Sequence, residues 1–141
     1  HKLDFLERLG PGYKKQTTTP RVLVGDLNVA PHENDVWSHK QMLKIISHTP
    51  GETERLEDSR SQARFADIGR LAVDDHQKLY SWWSYRAKDW AKSNRGRRLD
   101  HIWMNPAALP DTQLDTYRVH LAWRGGWKPS DHAPISVEMK V

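Results

Sequence analysis

Residues 22–31 read VLVGDLNVAP, an apolar run that breaks abruptly into Gly-Asp-Leu-Asn. The run RVLVG (21–25) is predicted to be a short strand buried on both faces, because its apolar residues are continuous rather than alternating. If the extended conformation persists past Gly25, Asp26 and Asn28 send their side chains to the same side. An Asp there can hold a divalent metal or orient a water nucleophile, and an Asn amide can donate to a phosphate oxygen. The same residues are also ordinary turn formers after a strand. About a hundred residues later, 128–139 read KPSDHAPISVEM, where Ser-Asp-His stands directly before another strand pattern. Asp131 and His132 supply either a hard-cation carboxylate beside an imidazole acid–base, or a turn Asp beside a surface His.

Between these two breaks the hydrophobic period changes. In HKLDFLERLG (1–10), Leu3, Leu6 and Leu9 share a helical face, and Gly10 and Pro11 are read as stops. KKQTTTP (14–20) is read as a loop. The pattern WSHKQMLKIISH (37–48) predicts a helix with Met42, Leu43, Ile45 and Ile46 on one side. A second helix is predicted over 49–66, with Thr49 as N-cap, Pro50 at the first helical position and Glu52 closing a capping box. Beyond Gly69 the period falls from 3.6 to 2. LYSWWSY (79–85), RLDHIWM (98–104), YRVHLAW (117–123) and HAPISVEMKV (132–141) read as strands, the last two with strict alternation. Helices packed on a sheet place the chain in the α/β class, as one unit of 141 residues.

Composition narrows the function. Hydrophobic residues make up only 37%, yet seven Trp argue against a disordered chain. The net charge of +4 suits either a polyanionic partner or an unremarkable basic protein. Cysteine is absent, which excludes disulfides, thiolate catalysis and thiolate-bound zinc. No apolar run approaches the ~18 residues that span a bilayer, and no leader is visible, so no membrane partner and a cytoplasmic location are expected.

Asp100 is anomalous, a carboxylate inside a strand pattern flanked by Leu99 and Ile102. It needs a partner: His132, whose tautomer it would fix, or a salt bridge to Arg98 or Lys128. The segment 86–98 carries Arg86, Lys88, Lys92, Arg95, Arg97 and Arg98 against one acid, Asp89, with Trp82, Trp83, Tyr85 and Trp90 interleaved. Such a stretch fits a nucleic-acid surface, or a solvated hairpin whose Trp residues enter the core. Trp83 and Trp103 are assigned to the core, and Trp82 suits either reading. The remaining histidines (His1, His32, His39, His48, His76, His101, His120) show no metal-ligand spacing and are read as surface groups.

LVGDLNVAP (23–31), YSWWSYRAKDWAKSNRGRRLDHIWMN (80–105) and KPSDHAPISVEM (128–139), in this order, resemble the exonuclease III / abasic-site endonuclease family of Mg²⁺-dependent DNA repair nucleases. The middle segment is the most specific. The resemblance runs from FLERL to the last strand and implies the second half of a four-layer α/β sandwich, a mixed β-sheet with helices on one face. The family's first half carries an Asn, the principal metal-binding Glu and a Tyr, none with a counterpart here. By position, the resemblance implies that Asp26 orients or deprotonates the attacking water and shares a Mg²⁺ or Mn²⁺ with Asp131. Asn28 would hold the scissile phosphate or the nucleophile, and Asp100 would pair with His132 at the phosphoryl oxygen. Trp82 and Leu99 would wall a pocket for a flipped-out abasic sugar. Arg97 stands where relatives often place an apolar or aromatic wall. Asn94 matches a DNA-contacting Asn, and Arg86 and Arg95 join it on double-stranded DNA. The chain is expected to be inactive alone and to self-associate through the sheet face that the first half covers. The alternative is a non-catalytic DNA-binding or interaction module on the same scaffold.

Overall fold

The computed structural model describes residues 1–13 and 18–140. Part of the expected loop at 14–20, and Val141 of the last alternating run, lie outside the described residues. In chain order the elements are α1 (Lys2–Tyr13), β1 (Val22–Asp26), α2 (His39–Met42), α3 (Pro50–Gln62), β2 (Ala66–Asp67) and α4 (Ile68–Ala72). They continue as β3 (Trp82–Trp83), α5 (Trp90–Ser93), β4 (Gly96–Arg97), β5 (Asp100–Met104), β6 (Thr112–Val119), α6 (Leu121–Arg124) and β7 (Ile135–Met139). The α/β class stands, but the sheet is not mixed: every pairing among the described strands is antiparallel, in the order β1-β5-β2, with β3-β4 and β6-β7 as separate pairs.

β5 is the central strand. His101, Ile102, Trp103 and Met104 are all buried, because elements cover both of its faces. On one side Leu6 of α1 and Leu56 of α3, with Ala63 and Phe65 just past α3, pack against Trp103, Leu27 and Val29. On the other, Ile68, Leu79 and Tyr117 meet Ile102 and Met104 beneath the β6-β7 ribbon. α3 starts where its capping residues place it: Glu52 Oε2 accepts from the Thr49 backbone N–H (3.2 Å) and hydroxyl (2.8 Å). α1 runs on through Gly10 and Pro11 instead of stopping there. Gly10 is where α1 crosses α3, and a Cβ on it would stand 2.8 Å from the Ser59 Cα.

Four other expectations are corrected. β1 is not buried on both faces: Val22 and Val24 are 46% and 66% exposed, because β1 is an edge strand covered on one face only. The helix expected over 37–48 lasts one turn. Ser47 takes φ 81° and its carbonyl accepts from Ala30 N (2.7 Å), so a tertiary contact ends the helix early. Of LYSWWSY only Trp82 and Trp83 pair as strand. The alternation in YRVHLAW breaks at His120, whose N–H bonds to Pro134 O (2.8 Å), and Leu121–Arg124 then turn helical.

The buried ionic cluster was not foreseen. Arg98, expected on a basic surface, is 1% exposed and lies between two carboxylates. Its Nε and Nη2 donate to Asp35 (2.9 and 2.8 Å), and its Nη1 and Nη2 donate to Asp67 (2.8 and 2.7 Å). Arg70 adds a second guanidinium on Asp35 Oδ1 (2.6 Å). Burial alone would raise both carboxyl pKa values. The Arg98 charge and hydrogen bonds outweigh it and hold both below the usual range, Asp67 at about 2. His48 and His101 are buried too, not surface groups, and burial pushes both imidazoles down.

These directions fix the sign of the pH dependence. A histidine with a lowered folded pKa leaves the unfolded chain binding more protons below about pH 6.5, so stability falls as pH drops through that range. The depressed carboxyls of Asp35 and Asp67 contribute stability above about pH 4 that is lost as pH falls toward their folded values. Melting temperature should therefore be flat above pH 7, decline from about 6.5 and fall more steeply below about 4. In His101→Gln the slope between pH 4 and 6.5 should shrink, and an unchanged slope would rule out its contribution.

Candidate active site

β1 and β5 pair with Asp26 opposite Asp100, so the two strands end at one rim with a carboxylate each. On either side of Asp26 the backbone leaves ordinary strand geometry. Gly25 sits at φ 149° and Asn28 at φ 55°, conformations that glycine and asparagine tolerate best. Asp26 braces the turn: Oδ1 accepts from Asn28 N (2.8 Å) and Oδ2 from Asn28 Nδ2 (3.1 Å). Three successive carbonyls of the turn are then tied down from elsewhere in the fold. Lys2 Nζ donates to Asn28 O (2.6 Å), His101 Nε2 to Val29 O (2.8 Å) and His48 Nδ1 to Ala30 O (2.6 Å). Sequence reading missed all three, since a lysine or histidine that bonds a distant carbonyl leaves no local spacing to find.

His132 reaches the same rim from the segment before β7. Its Nδ1 donates to Asp100 Oδ2 at 2.7 Å, and its Nε2 faces Asp26 Oδ2 at 3.8 Å. Asp100 is thus partnered by His132 and not by Arg98 or Lys128. The bond to Asp100 fixes Nδ1 as a donor and leaves Nε2 facing Asp26. A buried hydroxyl anchors the pair. Ser81 Oγ donates to Asp100 Oδ2 (2.6 Å) and accepts from Leu99 N and Asp100 N (both 3.0 Å). Ser81 O accepts from Ala133 N (2.7 Å), so one residue ties β5 to the Ser-Asp-His segment. Nothing in the sequence singled out Ser81 beyond its place before two Trp.

The other candidates surround this rim without joining it. Asp131 Oδ2 accepts from the Trp82 indole N–H (2.9 Å), so that carboxylate orients the Trp82 ring. Asn94, at φ 44°, accepts from the Trp83 indole N–H (3.0 Å) through Oδ1. Leu99 is 4% exposed, in a cluster with Ala30, Val36 and Met42 against which Trp82 packs. Arg97 lies over the Trp82 ring (5.0 Å) and donates to Ile46 O (3.1 Å) and Ser47 Oγ (3.0 Å). Trp82, Trp83, Trp90 and Trp37, with Arg86, Arg95 and Arg97, line a cavity of about 700 Å³. Arg95 stacks over Trp37 (4.7 Å). Among the described residues no three His, Asp or Glu side chains gather closely enough to hold a metal ion. Asp26 and Asp131 are donors of the right hardness for Mg²⁺ but too few to form a centre by themselves.

Comparison with known proteins gives a consistent picture. Residues 6–132 match the profile of the Endonuclease/Exonuclease/phosphatase family. Exodeoxyribonuclease III of Haemophilus influenzae is 33% identical over 132 residues, which cover 87% of this chain and 47% of that protein. Among solved structures, an AP endonuclease from Archaeoglobus fulgidus superposes with a TM-score of 0.88 at 26% identity, covering 99% of this chain and 53% of its own. A 3′ phosphatase, NExo, from Neisseria, bound to a product DNA hairpin, gives 0.83 at 25% identity over 99% and 52%. The chain spans less than half the length of the curated relatives it matches.

Proposed function

The chain belongs to the Endonuclease/Exonuclease/phosphatase family, and on that premise we propose that its rim of Asp26, Asp100 and His132 contributes to phosphodiester hydrolysis on DNA. The activity fits the exonuclease III type, 3′–5′ exonuclease and abasic-site endonuclease, in a cytoplasmic repair enzyme. The observation that carries this reading is the two-sided contact of His132, 2.7 Å from Asp100 and 3.8 Å from Asp26. Asp26 has an exposed carboxylate that can take the proton of an attacking water. Asn28 fixes that carboxylate and offers an amide to the scissile phosphate. His132, its proton parked on Nδ1, becomes a phosphate-binding imidazolium when Nε2 is protonated, and Asp100 stabilises that charge. Trp82, with Leu99 behind it and Arg97 across its face, forms the wall met by the sugar of the reacting nucleotide. Arg86, Asn94 and Arg95 lie along the approach of the duplex.

Mg²⁺ or Mn²⁺ is proposed as cofactor, with the carboxylates of Asp26 and Asp131 as this chain's share of its ligands. The ligand shortage predicts that the 141-residue chain alone does not cleave an abasic duplex in Mg²⁺. Addition in trans of the half of a family member that it does not span should restore cleavage, and Asp26→Ala should abolish the restored activity. Cleavage by the isolated chain would contradict the prediction. DNA binding that survives with no activity recovered by any complement would identify a binding module instead.

Self-association is proposed through β1, whose Val22 and Val24 form an exposed apolar row on an edge strand. Sedimentation at micromolar concentration should show a dimer or larger, and Val24→Lys should return it to monomer. A monomer throughout overturns this point.

A further inference from the structure

The turn between β6 and β7 carries two indoles that the proposed chemistry does not use. Trp123 and Trp127 are 70% and 89% exposed, and Tyr85, whose ring meets Arg124 between them, is 62% exposed. Scattered surface hydrophobes need no explanation, but two tryptophans on one pinned turn do. Arg124, between them, is buried and acts as the pin. Its guanidinium lies over Trp90 (4.9 Å) and Tyr85 (5.3 Å), and its Nη2 donates to Trp83 O (3.0 Å). Beyond the turn, the Tyr85 hydroxyl donates to Pro129 O (2.7 Å). The turn is therefore fixed to the segment 83–90 while both rings stay in solvent.

Charge says what those rings meet. Lys128 Nζ stands 4.7 Å from the Trp127 ring. The adjoining segment presents Arg86, Lys88, Lys92 and Arg95 in exposed positions, and its one acid, Asp89, is occupied capping α5 at Lys92 N (3.0 Å). Exposed aromatic faces among cations are the pattern that holds single-stranded nucleic acid, rings under bases and cations on phosphates. The place fits as well. About five residues separate Trp127 from His132, a span of at most roughly 18 Å, or about five stacked nucleotides of one strand.

We propose that Trp123 and Trp127 form a base-stacking platform for unpaired nucleotides next to the reacting phosphate, so that a frayed end or single-stranded tail is gripped beside the site. This rests on the DNA-directed reading above. The test is binding of labelled DNA by the full chain, followed by fluorescence anisotropy, comparing a blunt duplex with the same duplex bearing a short 3′ single-stranded tail. The double variant Trp123→Ala/Trp127→Ala should lose at least about 30-fold in affinity for the tailed DNA and less than about twofold for the blunt one. Trp127→Phe, which keeps an aromatic face, should retain most of the tail preference. An equal loss on both DNAs, or none on either, overturns the platform while leaving the nuclease reading in place. A loss seen instead in self-association or in binding to anionic lipid vesicles reassigns the indoles and overturns it too. A wild-type chain that binds neither DNA, or both equally, overturns the platform and leaves the nuclease reading to the complementation test.

Discussion

Arg98→Met is expected to lower folding stability by about 3–5 kcal/mol, the range for breaking one side of a buried ion pair. The side chain is enclosed, and its guanidinium answers two carboxylates at once, Asp35 (0% exposed) and Asp67. Methionine fills much of the volume but leaves both acids without the charge that holds their pKa values down. Arg70 still meets Asp35, so Asp67 is the more orphaned of the two. The loss is large against the 5–15 kcal/mol typical of whole domains. It is also structural in consequence. Asp35 belongs to the turn after the Gly-Asp-Leu-Asn rim, Asp67 to the start of α4, and Arg98 to the entry of β5, so one guanidinium fastens three segments. Arg98→Lys should recover only part of the loss, because a single ammonium cannot serve two carboxylates side-on. Urea unfolding measures both variants. A loss below about 1 kcal/mol with unchanged m-value would mean that the cluster is not the clamp its geometry describes.

What was legible in the sequence was legible locally. Thr49, Pro50 and Glu52 start α3 because capping is a contact among near neighbours. The strand pattern around β5 and the polar breaks at Asp26 and His132 could be read because side-chain chemistry changed abruptly there. The structure brings Asp26, Asp100 and His132 to one rim, through strand register and one buried serine that no periodicity marks. Arg98 was misread for a physical reason: its neighbours Arg95 and Arg97 make the run look solvated, and its carboxylate partners lie 63 and 31 residues away. His101 and Val29 are 72 residues apart, so no spacing could disclose that the imidazole holds the turn. The helix expected over 37–48 failed because the chain must leave it for Ser47 and His48 to meet Ala30. In the run YRVHLAW, alternation could not foresee that Arg124 would be drawn under Tyr85 and onto Trp90.

Asp100→Asn should cost the complemented enzyme about 10³–10⁴-fold in cleavage rate, by analogy with the loss when the orienting Asp of a serine hydrolase triad becomes Asn. The substitution is nearly isosteric and keeps a group for Ser81 to bond, so folding stability should change by no more than about 1 kcal/mol. The chemistry changes more. If the new amide turns its NH₂ to His132, Nδ1 must accept, and the proton moves to Nε2, the atom that faces Asp26 at 3.8 Å. If it turns its oxygen instead, the tautomer survives but the negative charge behind the imidazolium is gone. In both cases His132 is a poorer cation in the phosphate-binding role proposed for it. His132→Ala should cost a similar factor, within the 10²–10⁴ typical of a positioned acid–base. Because the two residues act as one unit, the double variant should be no worse than the poorer single one. Losses that multiply would show Asp100 and His132 working independently, against the 2.7 Å contact on which the assignment is built. A second readout separates positioning from mere packing. In Asp100→Asn the cleavage rate should fall while the melting temperature stays put, whereas a merely structural role would lower the melting temperature along with the rate.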